Sequence, residues 1–436
     1  MSASAIKTPG EILNQAPMRL QQWIVVAICT IGMAIDGYDV MSISLAAAGM
    51  SQEWGLSKAE LGFLLPLEFL GMAGGLIFIG SMTDKHGRRL VFLLCLLVIS
   101  LGMAASGFAP NKEILAVSRV FTGIGIGGIL ATGTALSSEY SNAKNRGLTV
   151  ILVAGGYTFG IFLASKIAAP LLTHYDWRSI FLFGSAASAC FLPLVYFFVP
   201  ESIGFLERRR PTGAEQQISA TLHKIGHNED FQMASAQAEV ESVSPMRLFQ
   251  GKTARITFVM IACYLGNILT YYYFVKWMPP AVTDIGYSAI EGTEVLAMIS
   301  IGGLTGSVVI AILSRFFLLR RLMLLALLGS TASVACFPMF TGSFDAMLLA
   351  GAVSGFFLFA VISGSIGLFA ESFPAAVLGS GVGVVLGLGR GGAVVGPWVG
   401  GLLFAAGMGL ASVSIIMAAG SFLAATSLLF LPRDQG

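Results

Sequence analysis

Charge is what this chain has least of. Only 11% of its 436 residues are Asp, Glu, Lys or Arg, less than half the share in a soluble domain. Too little charge is available to solvate a globular surface, which excludes a water-soluble enzyme. Histidine is scarcer still, at four, and the four form no ligand cluster. The five cysteines, at 29, 95, 190, 263 and 336, lie in apolar runs with neither disulfide nor metal spacing. They read as packing residues. No nucleotide-binding glycine loop, metal cluster or nucleophile–base set occurs, so neither covalent chemistry nor a cofactor is expected. The net charge of +2 says nothing by itself about nucleic acid, since distribution matters more, and no nucleic-acid partner is expected. Residues 1–20 hold Lys7 and Arg19 but no apolar core, so no cleaved signal peptide is expected.

Apolar residues and glycine fill the space that charge leaves. The chain is 56% hydrophobic and carries 53 glycines, which let membrane helices approach closely. Twelve apolar segments can be placed, at about 21–49, 60–82, 89–108, 113–137, 147–172, 178–199, 254–281, 294–314, 320–341, 344–370, 377–405 and 408–431. Each can cross a bilayer as a helix. The expected fold is an all-α membrane protein of twelve transmembrane helices in two pseudo-symmetric halves. The halves run over 21–199 and 254–431, with a polar connector at 200–253 and short ends at 1–20 and 432–436.

Basic residues set the orientation. With the N-terminus inside, Lys7, Arg19, Lys85, Arg88, Arg89, Lys144, Arg146, Arg315, Arg320, Arg321 and Arg433 all fall inside, along with those of the connector. Only Lys58, Lys112 and Arg178 fall outside. Both termini are therefore expected in the cytoplasm. The halves also repeat each other. In ALSSEYSNAKNRG (135–147) and GLFAESFPAAVLG (367–379), a glutamate, Glu139 or Glu371, precedes a glycine, Gly147 or Gly379, by the same distance. A repeat of this kind is what alternating-access transporters use, with the solute site near the midplane.

The few charges within apolar segments are then the candidates for function. IDGYDV puts Asp36 and Asp39 near the middle of the first segment, where one carboxylate costs about 2.5–3.5 kcal/mol to insert. Three residues apart, they share a helix face. Two close carboxylates cannot easily both ionise, so one is expected to take up a proton. Arg390, midway along the eleventh segment, cannot deprotonate and suits a solute carboxylate, or else a permanent inter-helix salt bridge. Tyr264, Asn267 and Tyr271 share one face of the seventh segment, with Lys276 and Trp277 nearer the outside. They join Tyr38 as candidate solute-binding residues, although tyrosines so spaced equally serve packing. Lys166 either draws anions to the mouth or snorkels to the interface. Glu68 is an extra proton site, a specificity device or a partner for Arg119.

GSMTDKHGRR (80–89) resembles the loop signature of the major facilitator superfamily. Gly80 permits a close helix crossing and Gly87 a tight turn. Asp84 can face a helix N-terminus, while Arg88, beside Arg89, can pair with an acid such as Glu139. SRVFTGIGIGG (118–128) resembles the superfamily's fourth-helix motif, which implies that Arg119 takes part in proton coupling. DGYD, SEY (138–140), PESIGFL (200–206) and GLGRGGAVVGPWVGG (387–401) together resemble the aromatic acid/H+ symporter family. That resemblance covers nearly the whole chain. It implies a monomeric multi-pass carrier in the cell inner membrane, importing a small organic acid anion with protons and driven by the proton gradient. Arg146 and Glu371 complete the expected gate. The second half departs from the pattern: Ser314 or Arg315 replaces an acid, and Leu378 an arginine. Two other functions use similar parts, namely proton-driven export of amphipathic compounds and solute sensing by a transporter-like receptor.

Overall fold

The computed structural model describes residues 7–227, 231–233, 248–374 and 377–432, and they are almost wholly helical. Helix α1 spans Pro9–Gln15, α2 Leu20–Trp54, α3 Lys58–Leu64, α4 Leu67–His86, α5 Arg88–Gly107, α6 Lys112–Glu139, α7 Arg146–His174 and α8 Arg178–Phe198. In the connector lie α9 (Ile203–Arg209) and α10 (Ala214–Lys224). The second half holds α11 (Gly251–Asp284), α12 (Ala289–Leu313), α13 (Leu319–Cys336), α14 (Phe344–Ser372), α15 (Leu378–Gly389), α16 (Gly391–Ala405) and α17 (Leu410–Leu429). Among the described residues, twelve helical spans are long and apolar enough to cross a membrane. Helices satisfy their own backbone polar groups, which a bilayer core cannot do for them.

Two of the expected continuous helices are interrupted. The second span breaks between α3 and α4 at Pro66, which has no amide hydrogen to continue the ladder. The eleventh breaks between α15 and α16 at Arg390. No proline is needed there, because Gly387, Gly389, Gly391 and Gly392 crowd the break and each weakens a helix by about 1 kcal/mol relative to alanine. The connector, expected only to be polar, holds two short helices, of which α9 has a side-chain cap. The Ser202 hydroxyl accepts from the Phe205 amide at the start of α9.

Packing divides the chain into two compact units that cut across the sequence halves. The first comprises Met1–Val40, Leu70–Gly160 and Phe181–Val240. The second comprises Met41–Phe69, Ile161–Ile180 and Glu241–Gly436. Within the first, α4 crosses α6 closely through Gly71 and Gly75. A Cβ at Gly71 would lie 1.9 Å from the Val120 carbonyl oxygen, and one at Gly75 2.3 Å from that of Ile124. Within the second, α12 crosses α14 through Gly302 and Gly306, against the carbonyls of Ala352 and Phe356 at 1.9 and 2.1 Å. The same glycine spacing thus builds a close crossing in each half, the packing counterpart of the repeat.

Candidate transport and coupling site

The first unit holds a buried ion pair. Arg119 Nη1 donates to Asp39 Oδ1 at 2.8 Å and Nη2 donates to the Asp39 backbone carbonyl at 3.1 Å. Both side chains are fully shielded from solvent. The Arg119 guanidinium also lies 5.6 Å from the centre of the Phe181 ring. Asp39 is thus paired with an arginine on another helix, and Asp36, three residues earlier on α2, is itself buried. Tyr38, between them, packs its ring against Phe183 at 5.8 Å. Removing a proton from Asp39 is compensated by Arg119, and adding one releases Arg119 from that charge.

The second unit carries the tyrosine face and Arg390. Tyr264, Asn267 and Tyr271 are all buried on α11. Tyr264 meets the Phe369 ring edge-on at 5.8 Å and lies beside the Arg390 side chain. Arg390 is half-buried at the break between α15 and α16. Tyr271 stacks edge-on with Tyr272 and Phe359, at 4.6 and 5.0 Å. Asn267 Oδ1 accepts from the Ser421 hydroxyl at 3.4 Å, while its buried Nδ2 has no hydrogen-bond partner among the described residues. An unsatisfied buried donor costs about 1–3 kcal/mol, so the site holds a polar group that a solute could satisfy.

Three further candidates of this unit have named partners. Glu68 is paired with Lys276, and both are buried. Trp277 is a packing residue: its indole N–H donates to the Pro397 carbonyl at 2.8 Å and its ring lies 4.8 Å from Phe404. Lys166 is exposed on α7.

At the end of the first unit that bears the N-terminus, three motifs interlock. Arg88 pairs with Glu139 at 2.8 Å, and the Ser202 hydroxyl donates to the same carboxylate. Glu201 Oε1 accepts from the backbone amides of Arg88 and Arg89 at 2.8 and 3.2 Å. It thereby caps the positive end of α5. Gly87 has φ +92°, and a Cβ there would lie 2.4 Å from Glu201 Oε2. The Tyr140 hydroxyl donates to the Glu201 carbonyl at 2.7 Å, and Arg89 donates to the Tyr196 carbonyl. Sequence reasoning missed Glu201; its signal was the PES motif itself, used above only as a mark of resemblance. Gly80 and Asp84 lie in α4, but their side chains fall outside the described set. Arg146 donates to Asn14 Oδ1 at 2.5 Å and to the Ser138 carbonyl at 3.3 Å, not to an acid. Glu371 is exposed at the end of α14, without an ion-pair partner among the described residues.

Twelve spans, a repeated half and ionisable side chains shielded in pairs define a membrane transporter rather than an enzyme. The chain belongs to the Major Facilitator Superfamily, whose sequence profile matches residues 29–319. It is similar to the gallate transporter of Pseudomonas putida, with 28% identity over 96% of this chain and 93% of that protein. It is likewise similar to the 4-hydroxybenzoate transporter PcaK of Acinetobacter baylyi, with 27% identity over 90% and 87%. These relatives support membership of the aromatic acid/H+ symporter family within the superfamily. Among solved structures, the D-xylose-proton symporter superposes with a TM-score of 0.74 at 18% identity, covering 95% of this chain and 98% of that one. That likeness establishes the major facilitator fold.

Proposed function

We propose that this transporter imports an aromatic carboxylate together with a proton across the cytoplasmic membrane, with both termini in the cytoplasm. The observation that carries the reading is the shielded Asp39–Arg119 pair. A carboxylate kept in the membrane and balanced by one arginine is a site whose charge a proton can switch. Protonation of Asp39 offsets the negative charge of an incoming anion, so the loaded protein has less charge to occlude. Arg390, beside Tyr264, supplies the planar clamp for the carboxylate, and the aromatic face of α11 accepts the ring. Proton release to the cytoplasm restores the Asp39 carboxylate, whose charge Arg119 again balances. Support for the orientation comes from the basic residues. Support for the aromatic solute comes from the names of the similar proteins.

Reconstituted vesicles test the reading directly. Uptake of labelled 4-hydroxybenzoate or gallate should rise when the outside is made acidic and collapse with a protonophore. Uptake indifferent to the pH gradient would contradict proton coupling. Failure to exchange any aromatic acid would contradict the solute class.

A further inference from the structure

The last four carbonyls of an α-helix have no amide of their own helix to accept from. At the end of α8, the sixth span, each of them has a donor. The Val199 amide donates to the Val195 carbonyl at 3.0 Å. Arg89, from the start of α5, donates to the Tyr196 carbonyl. Lys224 of α10 donates to that of Phe197 at 2.8 Å, and Gln21, from the start of α2, to that of Phe198 at 2.7 Å. The Arg89 guanidinium also lies 5.0 Å from the centre of the Tyr196 ring.

The twelfth span, α17, is closed by the same kinds of donor. The Phe430 amide donates to the Ser427 carbonyl at 3.0 Å. Arg320, from the start of α13, donates to the carbonyls of Leu428 and Leu429, each at 3.1 Å. Arg255, near the start of α11, donates to that of Phe430 at 3.0 Å. Donors thus come from the first and third spans of each half: Gln21 and Arg89 in one, Arg255 and Arg320 in the other. The acceptors also correspond. Glu371 follows Glu139 by 232 residues, and by that same interval Leu428 follows Tyr196 and Phe430 follows Phe198. The sequence repeat and the hydrogen-bonded helix ends therefore share one register. Each set lies within a single compact unit.

Arg88 and Arg89, neighbours in the loop motif, do different things. Arg88 pairs with Glu139, whereas Arg89, expected in the gate, closes the end of α8. The second half separates the two roles. Glu371, the counterpart of Glu139, is exposed and has no ion-pair partner among the described residues, yet Arg320 is kept on its carbonyls. A cation at a helix C-terminus is favourable twice, through a charge-assisted hydrogen bond and through the helix dipole. Three helices fastened at one end resist being drawn apart there. Alternating access moves one half of a transporter against the other, so each half has to hold its shape. We propose that Arg89 and Arg320 are equivalent members of a brace, present once in each half, that ties the sixth helix of that half to its first and third and stays closed throughout transport. Only the transport arm of the test below uses the aromatic acid reading.

Amide hydrogen exchange on the full-length protein in lipid nanodiscs reads the brace without a solute. Arg89→Met should speed exchange in the last turn of α8 about tenfold and leave α17 unchanged. Arg320→Met should do the converse. Lysine at either position still donates and should restore most of the protection, which separates a lost brace from a misfolded variant. Arg88→Gln should leave the end of α8 as protected as in the parent. For transport, the five cysteines are replaced by serine. A short bismaleimide then bridges Gln21→Cys with Phe198→Cys, or Arg255→Cys with Phe430→Cys. Uptake of labelled 4-hydroxybenzoate into vesicles should stay within about twofold of the unbridged protein, because a half that moves as a rigid body does not part at these ends. Unchanged exchange in either methionine variant would overturn the brace. Equal loosening by Arg88→Gln would overturn the separation of roles. Transport arrested by either bridge would overturn its staying closed. A parent protein that takes up no 4-hydroxybenzoate would contradict the aromatic acid reading instead, and the exchange rates would still decide the brace.

Discussion

Arg119 grips Asp39 twice, through the carboxylate and through the backbone carbonyl of the same residue, 80 positions earlier in the chain. The second bond fixes the guanidinium to α2 whether or not the carboxylate is charged. Protonation of Asp39 therefore changes the electrostatics of the site without releasing the arginine. Such an arrangement suits a switch that must reset.

The pair should behave as a unit in stability. Arg119→Met leaves the Asp39 carboxylate buried without its partner, which costs about 3–5 kcal/mol when one member of a buried pair is removed. Replacing both, with Asp39→Leu and Arg119→Met, should recover most of that loss. Thermal unfolding of purified protein would show a large drop for the single variant and a small one for the double. Equal drops would mean that the two side chains contribute independently.

The Glu201 cap gives a prediction about glycine. Gly87→Ala combines a left-handed backbone with a Cβ 2.4 Å from a carboxylate oxygen, and should cost about 1–3 kcal/mol. Gly147→Ala, at a position where a Cβ meets nothing within 4 Å, should be close to neutral. Glu201→Gln keeps the shape but removes the charge at the α5 N-terminus, for a loss of about 0.3–1 kcal/mol. Denaturation midpoints should drop most for Gly87→Ala, less for Glu201→Gln and least for Gly147→Ala. Equal midpoints for Gly87→Ala and Gly147→Ala would remove Glu201 from the account of this gate.

Arg390 makes a prediction about recognition. Arg390→Lys keeps the charge and loses the fork, so binding of an aromatic acid should weaken tenfold or more, about 1.4 kcal/mol. Tyr264→Phe removes only the hydroxyl beside Arg390 and should cost about 0.5–1.5 kcal/mol. Equilibrium binding to the two variants separates them. Parent-like affinity in Arg390→Lys would assign Arg390 to structure.

The residues legible in the sequence are those that are chemically out of place. Asp39, Arg119, Arg390 and Glu68 each stand as a charge in an apolar run, and the membrane makes such residues conspicuous. Partners are harder to read, because they depend on which helix ends meet. Glu68 left three readings open, and its pairing with Lys276 was not among them. One cue was present: Glu68 lies ten residues beyond Lys58 and Lys276 eight before Asp284, and the outer members pair as the inner ones do. The role of Trp277 is not legible in its spacing, because an aromatic ring has the same helical spacing whether it packs or binds. The break at Pro66 was written in the sequence. That at Arg390 rests on four weak glycine preferences, and a hydropathy run reads straight through it.

The central claim is that Asp39 carries the coupling proton. Its direct test compares two modes of transport by Asp39→Asn in the same vesicles. Asparagine mimics the protonated carboxyl and cannot cycle. The variant should therefore exchange labelled for unlabelled 4-hydroxybenzoate at a rate within a few-fold of the parent. Under an inward pH gradient it should accumulate none above equilibrium. Full gradient-driven accumulation by Asp39→Asn would contradict the account.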